Sequence, residues 1–232
     1  MTTNPGILYI VATPIGNLED MTFRAVRALS EVDLIVCEDT RVTKRLLEHY
    51  EVKTHSISFY QNLKKGGAVK PVPKIEFLTS ELKSGKNLAL VTDAGTPGIS
   101  DPGNQLVAKA IEEQIPVIPV PGASAVTTLA SVSGIDLSEF VFLGFPPHKK
   151  GRETFFKRVV EFPLPVMFYE SPHRVLKNLE LLQKLQIDKK IILGRELTKM
   201  FEEIVRGTVA EVLEYFQQNP SKVKGEFVII IH

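Results

Sequence analysis

The stretch LALVTDAGTPGISDPG, Leu88 to Gly103, decides how the rest of the chain is read. The apolar run LALVT passes into a turn holding three glycines and two prolines, and a helical pattern follows from Gly103 to Glu113. Strand, glycine-rich turn and helix in that order mark an open α/β sheet, where ligands settle at the carboxyl ends of strands. Glycine lets the backbone pass close to a bound molecule, and proline fixes its path. Asp93 and Asp101 add carboxylates able to accept hydrogen bonds from an amine or from hydroxyls. The same letters also fit a plain structural turn in which Asp101 caps a helix beginning around Pro102.

Outward from that stretch, short β-branched runs alternate with segments of helical periodicity. Before it come the strand Ile7 to Thr13, a helix from about Thr22 to Leu29, the strand Leu34 to Cys37, a helix from Thr40 to His49, the strand His55 to Phe59 and a helix from about Lys74 to Lys83. This alternation predicts a parallel-rich sheet with helices on both faces. Paired glycines and prolines from Lys64 to Pro73 disfavour helix and strand alike, so a mobile loop is expected there. After the glycine-rich stretch comes IPVIPVPGAS, Ile115 to Ser124, stiffened by Pro116, Pro119 and Pro121 and turning at Gly122 into another helix. A domain boundary is placed here, giving residues 1–120 and 121–232. The second half repeats the alternation, with strands at FVFLGF (Phe140 to Phe145), PVMFY (Pro165 to Tyr169), KIILGR and EFVIII. Helices are expected from about Arg152, from Pro172 or His173 to Leu185, and from about Thr208.

Composition narrows the class. With 232 residues, of which 44% are hydrophobic and 24% charged, the chain can bury a substantial core. No apolar run approaches the roughly 20 residues that span a bilayer, and the polar start MTTNPG leads straight into a strand. A protein of the cytoplasm, with no membrane partner, is therefore expected. The single cysteine, Cys37, reads as a buried structural thiol. With 28 basic against 27 acidic residues, no global field advertises a nucleic acid, so any such partner must be gripped locally. Two basic groups could do so: Lys149, Lys150, Arg152, Lys157 and Arg158, and Lys64, Lys65, Lys70 and Lys74. Dinucleotide, phosphate-loop and G-x-S-x-G patterns are missing, and the five histidines lack metal-ligand spacing. No metal site is expected.

Charge gathers where the strands stop. ATPIGNLEDMT (Ala12 to Thr22) is a second glycine-containing turn, and CEDTR places Glu38, Asp39 and Arg41 together. There Asp39 or Thr40 could cap the next helix, touch substrate, or do both. FYESPHR (Phe168 to Arg174) and GRELTKMFEE (Gly194 to Glu203) repeat the pattern in the second half. Exposed ion pairs would explain these last two; a shared ligand cleft explains all four.

Taken together, ATPIGNLEDMT, CEDTR, VTDAGTPGISDPG, PVPGASA, FLGFPPHKKGRE, FYESPHR and GRELTK occur in the order and spacing of one family. The chain resembles the ribosomal RNA small subunit methyltransferase I family, within the tetrapyrrole methylase superfamily of class III S-adenosylmethionine-dependent methyltransferases. The resemblance implies two α/β/α domains with the methyl donor in the cleft between them, and a homodimer. It further implies methylation of a cytidine ribose 2′-oxygen in the decoding region of small-subunit ribosomal RNA, either naked or in the assembled subunit. The first two turns, TPIGNLED and TDAGTPG, differ from the G-P-G-D-P-like and G-G-D-P-like loops of relatives that methylate tetrapyrroles. The loop FPPHKKGRE carries less positive charge than the L-P-R-K-K-G-R-R usual in the family.

Carried over by position, S-adenosyl-L-methionine would meet Ile15, Asp93, Thr96, Ser124, Ala125, Phe168 or Tyr169, Arg195, and the turn at Gly225 and Glu226. Arg41, Lys149, Lys150, Arg152 and Arg174 are the candidate RNA contacts. The base that takes the hydroxyl proton is left among Glu38, Asp39, Glu170, Glu196 and Lys199. A methyltransferase of tetrapyrroles or other small molecules on the same fold and a non-enzymatic nucleotide-binding module are the alternatives.

Overall fold

The computed structural model describes residues 4–59, 73–100, 103–185 and 188–232. The expected loop from Lys64, with Lys65 and Lys70, lies outside them, as do Asp101 and Pro102. The chain divides into two compact units, Met1–Ser124 and Ala125–His232.

In the N-terminal unit the elements run β1 (Leu8–Val11), α1 (Phe23–Glu31), β2 (Leu34–Cys37), α2 (Thr40–His49), β3 (Ser56–Ser58), α3 (Pro73–Lys83), β4 (Leu88–Leu90), α4 (Asn104–Glu112) and β5 (Val117–Val120). The sheet has the order β3-β2-β4-β1-β5, and every pairing is parallel. Its strands alternate between two apolar faces, as a period of two demands when helices cover both sides. Val11, Ile35, Cys37, Ala89 and Val91 pack with Ala25, Ala28 and Leu29 of α1 and Leu47 of α2. Leu8, Leu34, Val36, Leu88 and Leu90 pack with Leu78 and Leu82 of α3 and Leu106 and Ala110 of α4. Thr22 caps α1 through its hydroxyl, and Asp39 caps α2.

β5 corrects the reading of Ile115 to Val120 as a stiffened connection. Prolines are tolerated because this is the outermost strand. The carbonyls of Pro116 and Val120 bond to Leu8 and Ala12 at 2.9 and 3.1 Å, so Pro119, between them, turns its donor-less nitrogen away from β1. The units divide at Ser124 rather than at 120/121, because the turn after β5 is tied back to the first sheet. A Cβ on Gly122 would lie 3.0 Å from that of Ala12, and the Thr96 hydroxyl donates to the Ala123 carbonyl at 3.1 Å.

The C-terminal unit runs α5 (Ala125–Ser131), β6 (Val141–Phe142), α6 (Arg152–Glu161), β7 (Val166–Glu170), α7 (Val175–Lys184), β8 (Lys190–Arg195), β9 (Glu203–Thr208), α8 (Val209–Gln218) and β10 (Phe227–Ile231). The order is β6-β7-β10-β8-β9, with only β6 and β7 parallel. Here the alternation of strand and helix overstated parallel pairing, and β9 was absent from the sequence reading. One face of the sheet packs Phe168, Leu193, Phe227 and Ile229 against Phe156 of α6, Leu179 of α7 and Phe216 of α8. On the other face α5 sets Leu129 so close to Gly194 that a Cβ there would stand 2.9 Å from a Leu129 methyl. Among the described residues no helix is long and apolar enough to cross a membrane.

Candidate functional site

Three loops of the N-terminal unit leave the carboxyl ends of neighbouring strands and meet. Thr13, past β1, and Gly95, past β4, bond to each other through the backbone in both directions, at 2.9 and 3.1 Å. The Thr13 hydroxyl adds a bond to the Thr92 carbonyl at 3.1 Å. The loop past β5 joins them through Thr96 and Ala123. Gly95 sits where all three come together, at φ +84°, and a Cβ on it would come within 3.3 Å of an Ile15 methyl and 3.7 Å of the Ala123 carbonyl. Ile15, Thr96 and Ser124 are thus gathered at one end of the sheet, while Ala125 opens α5.

Beside these loops stand three carboxylates, because β2 and β4 are neighbours in register. The Asp93 carboxylate accepts from the Asp39 amide at 3.0 Å, and the Glu38 carboxylate from the Thr92 hydroxyl at 3.0 Å. Burial pushes the Asp93 carboxyl up; the bond from the Asp39 amide works against this, and the charges of Glu38 and Asp39 reinforce it. Asp39 both caps and pairs: it accepts from the Arg41 amide at 2.8 Å and meets the exposed Arg41 guanidinium at 2.5 Å. The guanidinium and the amide together hold its pKa at about 2. No cation of the described residues lies within ion-pair distance of Glu38.

These loops fit an adenosylated sulfonium donor. Glycine leaves the meeting point without a side chain, Ile15 is its apolar neighbour, and Asp93 offers an acceptor for hydroxyls or an amine. The carboxylates around it favour a cation.

In the C-terminal unit the candidate residues are bound to one another. The Lys199 ammonium reaches Glu196 at 2.8 Å and Glu226 at 3.0 Å. The Glu196 amide donates to the Glu226 carbonyl at 3.0 Å, and the Glu226 amide donates to the Glu196 carboxylate at 3.0 Å. The left-handed backbone of Gly225, at φ +82°, favours glycine, and a Cβ there, 2.2 Å from the Glu196 carboxyl carbon, would push that side chain aside. Burial alone would raise Glu196 and lower Lys199, but their mutual bonds outweigh it, leaving Glu196 low and Lys199 high. Arg195 is buried, paired with Glu203 at 3.4 Å and donating to the Phe201 carbonyl at 3.0 Å. Phe168 lies within the core cluster, whereas Tyr169 faces the other way, its ring 5.0 Å from that of Phe142 and 5.2 Å from Phe145. Burial raises the Tyr169 hydroxyl.

Glu170 and Arg174 form a separate network. The Glu170 side chain is fully buried and that of Arg174 is 12% exposed, with 3.1 Å between Nε and Oε1. Glu170 also accepts from the Ser171 amide at 2.7 Å and from the Asn178 side chain. Arg174 extends to the Ser171 hydroxyl at 3.0 Å and the Pro146 carbonyl at 2.9 Å. Lys149 and Lys150 are exposed on the turn that follows, and Arg152 opens α6 after Gly151 at φ +87°. Sequence reasoning missed Thr13, Thr92, Asn178 and Glu203. The two threonines stood in segments already singled out, but nothing in the letters shows that Asn178 and Glu203 are partners of Glu170 and Arg195.

Residues 7–213 match the family of Tetrapyrrole (Corrin/Porphyrin) Methylases. Proteins named Ribosomal RNA small subunit methyltransferase I are similar over almost the whole chain. One from Streptococcus pyogenes serotype M1 is 46% identical over 97% of this chain and 76% of its own length. One from Leptospira biflexa is 43% identical over 98% of this chain and 91% of its own. Among solved structures, a cobalt precorrin-4 methyltransferase has a TM-score of 0.68 at 16% identity, covering 97% of this chain and 94% of its own. Uroporphyrin III C-methyl transferase from Thermus thermophilus gives 0.63 at 17%, covering 97% of both chains. At those identities the two structures speak for the fold, while the near full-length likeness to the methyltransferase I proteins speaks for more. The chain belongs to the ribosomal RNA small subunit methyltransferase I family of the tetrapyrrole methylases, and is an S-adenosylmethionine-dependent methyltransferase.

Proposed function

We propose that this protein methylates the 2′-oxygen of a cytidine ribose in the decoding region of small-subunit ribosomal RNA. The observation that carries the reading is the 43–46% identity, over nearly the whole chain, to proteins named for that RNA. Ile15, Asp93, Thr96 and Ser124 are its proposed donor contacts, and by the family resemblance Ala125, Tyr169, Arg195, Gly225 and Glu226 are proposed as well, Tyr169 being taken in place of the core residue Phe168. When bound, the donor supplies a methyl group already activated by its positive sulfur. What this chain must add is orientation of the ribose and a place for its proton.

We assign the proton to Glu38. Asp39 is committed to Arg41, Glu170 to Arg174 and Asn178, and Glu196 and Lys199 to each other, whereas Glu38 holds a hydroxyl and, among the described residues, no cation. Arg41, Lys149, Lys150 and Arg152 are the proposed grips on the RNA backbone, and their contribution falls with salt. We place the protein in the cytoplasm as a homodimer, acting on the RNA or on the assembled small subunit.

Mass mapping of ribose methylation in small-subunit RNA from a strain lacking this gene, with and without complementation, tests the reading. One modification should vanish and return. Unchanged RNA, together with methyl transfer to a corrin precursor by the purified protein, would replace it with the small-molecule alternative.

A further inference from the structure

We propose that the buried Glu170–Arg174 pair is a positioning device for the Lys149–Lys150 turn, holding it in the shape that grips RNA phosphates. The proposal rests on the reading of that turn as an RNA contact.

The chain from β6 to α6 is fastened at both ends, with an exposed turn between them. At its start, the Leu143 amide bonds to the Met167 carbonyl and the Gly144 carbonyl to the Tyr169 amide, both at 2.9 Å, and the Phe145 ring lies against Tyr169. The last fastening on this side is Pro146, itself buried, whose carbonyl accepts from Arg174. At the far end α6 is anchored by Phe156, wholly buried in the core. Between these points lie Pro147, His148, Lys149 and Lys150, closed by the left-handed Gly151, with an Arg152 amide bond to the Lys149 carbonyl at 3.4 Å. Removing the Arg174 bond frees the turn on one side only.

Arg174 is suited to this task because its fork spans three partners at once: the Glu170 carboxylate, the Ser171 hydroxyl and the Pro146 carbonyl. Glu170 in turn is fixed by the Ser171 amide and the Asn178 side chain, so the guanidinium has one place to be. A pair this deep is weak evidence of stabilisation for its own sake, since burying both charges costs about what their attraction returns. Its product is a fixed carbonyl at the root of a basic turn. A turn already in its binding shape loses less freedom when RNA docks. Arg174 therefore acts on RNA through Lys149 and Lys150.

The test uses the full-length protein and small ribosomal subunits purified from a strain lacking the gene, with affinity measured at moderate salt. Three variants are compared: Lys149→Glu with Lys150→Glu, Glu170→Gln with Arg174→Gln, and all four changes together. The Gln pair removes both charges at once, so that no lone buried charge unfolds the protein; Arg174→Lys serves as a second probe. Charge reversal should weaken subunit binding about tenfold or more. The Gln pair should weaken it several-fold, speed tryptic cleavage after Lys149 and Lys150, and leave donor affinity unchanged. Combined, the changes should cost no more than charge reversal alone, because the network matters only through the lysines. Additive losses, or wild-type affinity in the Gln pair and in Arg174→Lys, would overturn the positioning role. Wild-type affinity after charge reversal would instead remove the RNA contact on which the role depends.

Discussion

The two units hold their charged residues in opposite ways. In the parallel sheet of the N-terminal unit, Glu38, Asp39 and Asp93 crowd together at strand ends, and among the described residues only Asp39 is within ion-pair distance of a cation. In the mixed sheet of the C-terminal unit, Glu170, Glu196 and Glu203 are each locked to arginine or lysine. Like charges left close together are costly for folding and useful for chemistry; matched charges are the reverse. The comparison assigns reactivity to the first unit and rigidity to the second.

Glu38→Gln should break that contrast most sharply. Turnover should fall by about 10²- to 10⁴-fold, as for loss of a general base, with donor affinity and melting temperature close to wild type. Single-turnover methylation beside calorimetric donor titration checks this; a loss of donor affinity of similar size would make Glu38 a binding residue. Glu170→Ala should do the opposite. It leaves Arg174 buried without its partner and should cost about 3–5 kcal/mol in a denaturant titration. Gly95→Val comes next, forcing a branched side chain into φ +84° and against Ile15. Strain of about 1–3 kcal/mol should accompany a fall in donor affinity of at least tenfold.

Smaller effects sharpen the picture. Thr208 and Glu211 form a reciprocal cap on α8, and Thr208→Ala should cost about 1 kcal/mol with no change in donor or RNA binding. For Asp39 the folded pKa, about 2, lies below its ordinary value of 3.8. Its contribution to stability is therefore complete above pH of about 4 and is lost as pH falls through 2. A carboxyl NMR titration should show Asp39 ionised at pH 3, and a midpoint near 4 would deny the pairing with Arg41.

Much of the first unit was legible because β1, β2 and β4 are apolar on both faces and each ends in a turn with glycine or charge. The run Leu34–Cys37 and the helix Thr40–His49 stand where the letters put them. β5 was hidden by Pro116 and Pro119, which speak against a strand unless it is known to be outermost. β9 was hidden because Glu203–Thr208 is partly exposed along its whole length, so its pattern lacks a clear apolar face. Strand direction in the second half was not legible either, since periodicity reports which face is buried and not which way the chain runs. The site shows the same limit. Loops at strand ends could be read from glycine and charge, whereas the pairing of Arg195 with Glu203 depends on a hairpin that the sequence did not reveal.

Pro119 has a consequence for how molecules of this protein behave in a crowd. A flat outer strand invites a stranger's strand to add to the sheet, and that invitation is extended through outward-facing amide hydrogens. Here one of the two outward positions between the Pro116 and Val120 carbonyls, Pro119, carries a ring instead of a hydrogen. The edge of the sheet therefore offers a newcomer a gap in the ladder, and the residue that disguised the strand in the sequence is the one that discourages runaway stacking of the folded chains.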